Sequence, residues 1–109
     1  MMAAKPKCGI AMDGRIMHYS VGAVIKRDES YVLIERATPP LGFAAVAGHH
    51  DDGETIENAL IREVQEESGL SVISYQKLFE EEIPWNTCSK GIEVHHWTVY
   101  ACVVNGVLR

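Results

Sequence analysis

The stretch "IREVQEESG", residues 61–69, carries Glu63, Glu66 and Glu67. At helical period these fall at i, i+3 and i+4, so three like charges crowd one side of a single helix and repel. On a wheel with Ile56 at zero and about 100° per residue, Leu60 lies near about +40°, Val64 near about +80° and Ala59 near about −60°. That apolar stripe is the face expected to meet a core. Glu63 at about −20° and Glu67 at about +20° lie along its middle, with Glu66 at its flank. Burying uncompensated carboxylates costs several kcal/mol or forces them neutral. A helix that slopes out of the core into a cleft, with divalent cations held there, resolves the conflict. Oxygen-only ligands favour Mg²⁺ or Mn²⁺ over zinc, and Mg²⁺ characteristically binds through a few carboxylates together with substrate phosphates. The residues point to metal-assisted chemistry on a phosphate compound.

Such a helix needs elements to hold it. The helical pattern begins at Glu54, with Glu54 and Glu57 as acidic first-turn residues, and Gly69 is the expected stop. Upstream, "HYSVGAVIKRDESYVLIERA" reads as two strands, Val21–Ile25 and Tyr31–Ile34, joined at Asp28-Glu29-Ser30. "TPPLG" breaks the chain, "FAAVAG" reads as a third, brief strand, and "HHDDG" as a polar loop. Downstream, "LSVISYQKLFEEEIP" and "GIEVHHWTVYACVVNG" alternate as strands, with "WNTCSKG" between them. The order β-β-β-α-β-β predicts a mixed α/β domain of the α+β type. Residues 1–17, without periodicity, read as an irregular lead-in to a domain over 18–109.

Composition narrows the function classes. A chain of 109 residues with 47% hydrophobic and 23% charged residues fits one folded domain. A net charge of −5, without clustered Lys and Arg, offers no DNA-binding footprint. Cys8, Cys88 and Cys102 are odd in number and lack zinc-ribbon spacing, so they read as free thiols of a reducing compartment. With no apolar leader and no 18-residue apolar run, the expected location is the cytoplasm, with no membrane association.

Read from Gly48, the chain runs G-HHDDG-E-TIENALI-R-E-V-Q-E-E-S-G-L. This resembles the Nudix signature, Gly-x5-Glu-x7-Arg-Glu-U-x-Glu-Glu-x-Gly-U with U a bulky aliphatic, without a gap from Gly48 to Leu70. The flanking strands follow the order of the Nudix fold. The resemblance implies that Glu63, Glu66 and Glu67 bind Mg²⁺ or Mn²⁺, and that the Gly48 carbonyl joins the coordination shell. It implies that Glu54 supports the site, that Arg62 pairs with box glutamates, and that Gly53 and Gly69 occupy turns. The implied activity is hydrolysis of a nucleoside diphosphate linked to another moiety; the rival is an inactive Nudix-like nucleotide-binding or regulatory domain.

The chain also departs from the family pattern. Val46-Ala47 stands where many members carry Pro-Gly or Pro-Ala. Members usually continue past the equivalent of Arg109 through a further strand and a closing helix. That helix is therefore expected to be missing, and a homodimer is one way to cover the exposed sheet face. The general base often lies in a late loop of the family, which leaves Glu80, Glu81, Glu82 and Glu93 as weak candidates.

Other residues are candidates for substrate contact. His49 and His50 adjoin the metal helix and are weak candidates for phosphate contact, against ordinary loop residues. His95 and His96 are strand neighbours facing opposite sides, so one of them, His96 being preferred, is a candidate for the cleft. Trp85, Trp97 and Tyr100 could stack on a nucleobase or simply pack.

Overall fold

The hairpin signal at the start of the domain rests on β-branched residues flanking a polar turn, and the architecture grows from that hairpin's long first strand. In the computed structural model, residues 5–27, 29–36, 42–84, 91–92 and 94–107 are described. The elements are β1 (Cys8–Ile10), β2 (Ile16–Arg27), β3 (Ser30–Tyr31), β4 (Ile34–Arg36), β5 (Gly42–Ala44), β6 (Val46–His49), α1 (Ile56–Ser68), β7 (Ser71–Ile83) and β8 (Val94–Asn105). Trp85, Cys88 and Glu93 lie outside the described residues.

Strand β2 organises the main sheet, whose order is β1-β2-β8-β7. It pairs antiparallel with β1 through Cys8↔His18 and with β6 through Ser20↔His49 and Val21↔Gly48. On its other edge it runs parallel to β8, with His18 opposite His95 and Tyr19 opposite His96. β7 closes the far edge antiparallel to β8. The sheet is mixed, as expected.

Side chains alternate along each strand, so this register divides the sheet into two faces. Val21, Ala23 and Ile25 of β2, with Tyr100 and Cys102 of β8, pack beneath Ala59, Leu60 and Val64 of α1. His18, Ser20, Gly22 and Val24 take the opposite face, alongside His95, Trp97, Val99 and Ala101. The apolar stripe drawn on the helical wheel is therefore the one that is buried.

Several boundaries differ from the sequence reading: "FAAVAG" is divided between β5, which pairs with β4, and β6, which pairs with β2 and runs on to His49 of the expected loop. The lead-in contributes β1, because a turn at Ala11–Arg15 folds it back. There the Ala11 N–H donates to the Arg15 carbonyl over 2.8 Å, Gly14 adopts φ +90°, and Asp13 accepts from the Arg15 N–H at 3.1 Å. The segment Tyr31–Ile34 is not one strand. Its Val32 turns inward, buried, with its N–H on the Ile25 carbonyl at 2.9 Å, separating β3 from β4. The helix starts at Ile56 rather than Glu54, since the Thr55 hydroxyl caps it by accepting from the Asn58 N–H at 3.1 Å. Glu54 is thereby freed from the first turn. Gly69 ends the helix at φ +78°, as expected.

Candidate active site

Arg62 is the centre of the carboxylate cluster. Its Nη2 donates to Glu54 Oε1 at 2.7 Å and to the His49 carbonyl at 2.9 Å, and its Nε donates to Glu54 Oε2 at 3.2 Å. Nη1 donates to Glu63 Oε1 at 2.8 Å and to Glu66 Oε2 at 3.3 Å. Asp51 Oδ2 lies 3.2 Å from Nη2. One guanidinium so joins the helix, the loop before it and strand β6, which suits a planar group with donors in a fixed fork.

The loop is closed from within. Glu54 Oε1 also accepts from the Asp51 N–H at 2.8 Å, and His50 Nε2 lies 2.6 Å from the Glu54 carbonyl, its ring nitrogen donating. Gly53 takes φ +87° between them, a conformation that favours glycine. Glu54 thus acts from the loop onto Arg62, a supporting position reached without being helical.

Burial grades the three helix glutamates. Glu63 keeps 12% of its side chain exposed and Glu66 keeps 58%. Glu67 is half-buried and accepts from the Ala47 N–H of β6 at 3.1 Å. A Cβ built on Gly48 would overlap the Glu63 carboxyl carbon and both its oxygens. Only glycine lets the strand come this close, leaving the Gly48 backbone against the carboxylate. The Glu63 carboxylate thus lies against the Gly48 backbone, with Glu66 and Glu67 one turn further along the same helix.

The electrostatics follow from the same contacts. Burial pushes the Glu63 carboxyl up to about 7; the Arg62 hydrogen bond opposes the rise, and the Glu67 and Glu66 charges add to it. The Arg62 hydrogen bond holds Glu54 below the ordinary carboxylate range, against desolvation. Arg62 in turn is held protonated, first by Glu54. The two carboxylates on one arginine are thus pushed in opposite directions, Glu54 towards the anion and Glu63 towards the neutral acid.

Beside this cluster lies a cleft of about 390 Å³, lined by Lys7, Tyr19, His50, Glu54, Lys77 and His96 among others. Its volume is within the range of small-molecule sites. Lys7 Nζ sits 4.6 Å over the Tyr19 ring. Glu80 joins Lys77 Nζ at 2.9 Å to His96 Nε2 at 2.7 Å. The Lys77 hydrogen bond, seconded by His96, holds the Glu80 carboxyl below its usual range, which weakens it as a base. Glu82 receives the Met12 N–H at 3.2 Å.

Strand parity sorts the expected substrate contacts. His50, His96 and Tyr100 line the cleft together with Glu54. His49 and Trp97 do not, because they alternate onto the opposite face, where Trp97 approaches Gly22 and His49 approaches His18 and His95. Glu63, Glu66 and Glu67 do not line the cleft; Glu63 and Glu66 connect to it through Arg62, which also holds the cleft residue Glu54, while Glu67 bonds to β6. Sequence reasoning missed Asp51, Lys7, Tyr19 and Lys77. Asp51 stood in a polar loop without period, and the other three reach the cleft from strands or segments distant in sequence. Tyr19 could have been found from its register partner His96, once β2 and β8 were known to run parallel.

The NUDIX domain family model matches residues 17–109. Over 53 residues, 47% of this chain and 31% of the relative, the sequence is 40% identical to an ADP-ribose pyrophosphatase of Methanocaldococcus jannaschii. Over 80 residues it is 26% identical to the NAD-capped RNA hydrolase NudC of Pseudomonas aeruginosa, covering 73% of this chain and 29% of that one. The fold superposes on a NUDIX hydrolase from Nitrosomonas europaea with a TM-score of 0.67 at 30% identity, covering 82% of this chain and 60% of that one. The chain spans about a third of the length of the curated relatives it matches. The arginine-centred carboxylates, the glycine packed on Glu63 and the strands β6 and β8 beside them lie within the matched span, and the chain belongs to the NUDIX domain family.

Proposed function

We propose that this chain hydrolyses a nucleoside diphosphate linked to another moiety, with Mg²⁺ or Mn²⁺ held by Glu63, Glu66, Glu67 and the Gly48 carbonyl. The observation that carries this reading is the gathering of Glu54, Glu63 and Glu66 on the single guanidinium of Arg62, with Gly48 packed on Glu63. The bound ion would neutralise charge on the pyrophosphate oxygens and make water a better nucleophile. Water then attacks one phosphorus, the bridging P–O bond breaks, and the two products carry a phosphate group each.

The chain's own residues do the positioning. Arg62 fixes the direction of Glu63 and ties the helix to β6. Lys7 and Lys77 bring ammonium groups to a cleft that also carries Glu54, Glu57 and Glu80, and its Tyr19 and Tyr100 rings offer stacking surface. The relatives' names favour ADP-ribose and dinucleotide-type compounds as the first substrates to try.

The test is a panel of nucleotides with Mg²⁺ or Mn²⁺, scored by released phosphate or nucleoside monophosphate. Turnover of at least one diphosphate-linked compound is expected, falling about 10²-fold or more in Glu66→Gln and Glu67→Gln. Inactivity on every compound, or wild-type turnover in both variants, would overturn the reading.

The remaining readings concern surroundings. Among the described residues no helix is long and apolar enough to cross a membrane, and Cys8 and Cys102 are free thiols, which supports a reducing, cytoplasmic setting. Ile73, Leu78, Phe79 and Val103 are exposed on β7 and β8, which supports a homodimer that covers them. A concentration-independent monomer in light scattering would remove the dimer.

A further inference from the structure

We propose that His18, His49 and His95 form a binding site for a zinc-class transition-metal ion, on the sheet face opposite the carboxylates. Each histidine offers a ring nitrogen, and the three nitrogens lie within 4.8 Å of one another. The site goes beyond the hydrolytic reading and does not depend on it.

The sheet register builds this cluster. His18 on β2 stands directly opposite His95 on β8. His49 on β6 is paired with Ser20, two residues along the same face of β2. Three adjacent strands therefore deliver one imidazole each to a single patch. The rings pack mutually, with centroids 5.2 Å apart for His18 and His49, 6.0 Å for His18 and His95, and 5.9 Å for His49 and His95. His95 and His18 are buried, at 1% and 6% exposure, while His49 is half-buried and opens the patch towards solvent.

The distances suit a metal. Three points no more than 4.8 Å apart fit on a circle of radius about 2.8 Å or less, and a Zn–N bond is about 2.0–2.1 Å. Each ring has to move by less than about 1 Å to bind, within reach of small torsional adjustments. Imidazole nitrogens select Zn²⁺, Co²⁺, Ni²⁺ or Cu²⁺, whereas Mg²⁺ demands oxygen. Three protein ligands leave a fourth position for water or a small anion on the His49 side. The ion would clip β6, β2 and β8 together and so brace the strand that carries Gly48.

The test is a titration of the metal-free chain with Co²⁺ in excess Mg²⁺, followed by visible absorption. One equivalent with the intense bands of four-coordinate cobalt is expected, retained in Glu66→Gln/Glu67→Gln and abolished in His18→Gln/His49→Gln. No binding under excess Mg²⁺ would overturn the site, as would binding lost in the glutamate variant but kept in the histidine variant. Should the histidine variant fail to fold, imidazole ¹⁵N shifts of the wild-type chain decide the matter. With one equivalent of Zn²⁺, His18, His49 and His95 should move and His50 and His96 should not. Shifts confined to His50 and His96, or none, would overturn it. Because the readouts are metal binding and ¹⁵N shifts, failure here is distinct from failure of hydrolysis.

Discussion

Arg62 Nη2 donates to the backbone carbonyl of His49 over 2.9 Å, and so a helix side chain holds the strand residue next to Gly48. The same guanidinium orients Glu63, whose carboxylate fills the space a Cβ on Gly48 would need. Helix and strand are therefore aligned where the Glu63 carboxylate meets the Gly48 backbone, and disturbing either partner should disturb both.

Arg62→Lys should separate charge from geometry. An ammonium cannot span Glu54, Glu63 and the His49 carbonyl at once. A loss of about 1–3 kcal/mol is expected, equivalent to a fall in Tm of about 4–8 °C for each kcal/mol in a domain of this size. Calorimetry and product release should fall together. An unchanged Tm with unchanged turnover would show that the arginine does not hold the site.

Gly48→Ala should act through Glu63. The new methyl has to displace the carboxylate or push β6 from α1, at about 1–3 kcal/mol. If Glu63 holds the metal as proposed, moving its carboxylate by about 1 Å should lower turnover about 10²-fold. Gly53→Ala is the contrast, because its added Cβ meets nothing within 4 Å and the cost is confined to a φ of +87°. Equal loss of activity in the two variants would contradict the close-packing argument.

The Glu63 carboxyl, pushed up to about 7 by burial, makes the metal-free chain pH-sensitive. Its folded pKa lies above its unfolded value, so the folded state binds the extra proton. That contribution to stability is complete below about pH 4.5 and is lost as pH rises through about 7, on the order of 3 kcal/mol. Mg²⁺ should restore stability most above pH 7, where the carboxylate is ionised. Thermal melts from pH 5 to 8, with and without Mg²⁺, check this; a Mg²⁺ effect that is the same at every pH would refute it.

Thr55→Ala should cost about 1 kcal/mol by leaving the Asn58 N–H without its cap. Thr55→Ser should recover most of that loss, because it restores an acceptor at the same position. Chemical denaturation midpoints of the two variants provide the measurement.

The parts of the site readable from sequence are those governed by local periodicity. The wheel placed Glu63 and Glu67 on the buried side because all of α1 turns by the same angle per residue, and the resemblance added Gly48, Glu54 and Arg62. The helix starts two residues later than its acidic residues suggest, because acidic side chains suit a first turn and a capping loop equally; only the Thr55 cap decides between them. His95 and His96 were known to face opposite ways, but which face held the cleft depended on the parallel pairing of β2 with β8, a contact across some 77 residues of chain. The three-histidine cluster was beyond reach for the same reason, since its members come from strands whose neighbours cannot be read from spacing.

Gly48 and His49 are consecutive on β6, yet one faces the oxygen donors and the other the imidazoles. The strand works as a partition one residue thick, keeping carboxylates and imidazoles on separate sides of the sheet. Deleting a single residue from β6 would turn both sets around, setting an imidazole against Glu63 and a bare backbone among the histidines. The length of this short strand thus decides which side chains share a face of the sheet.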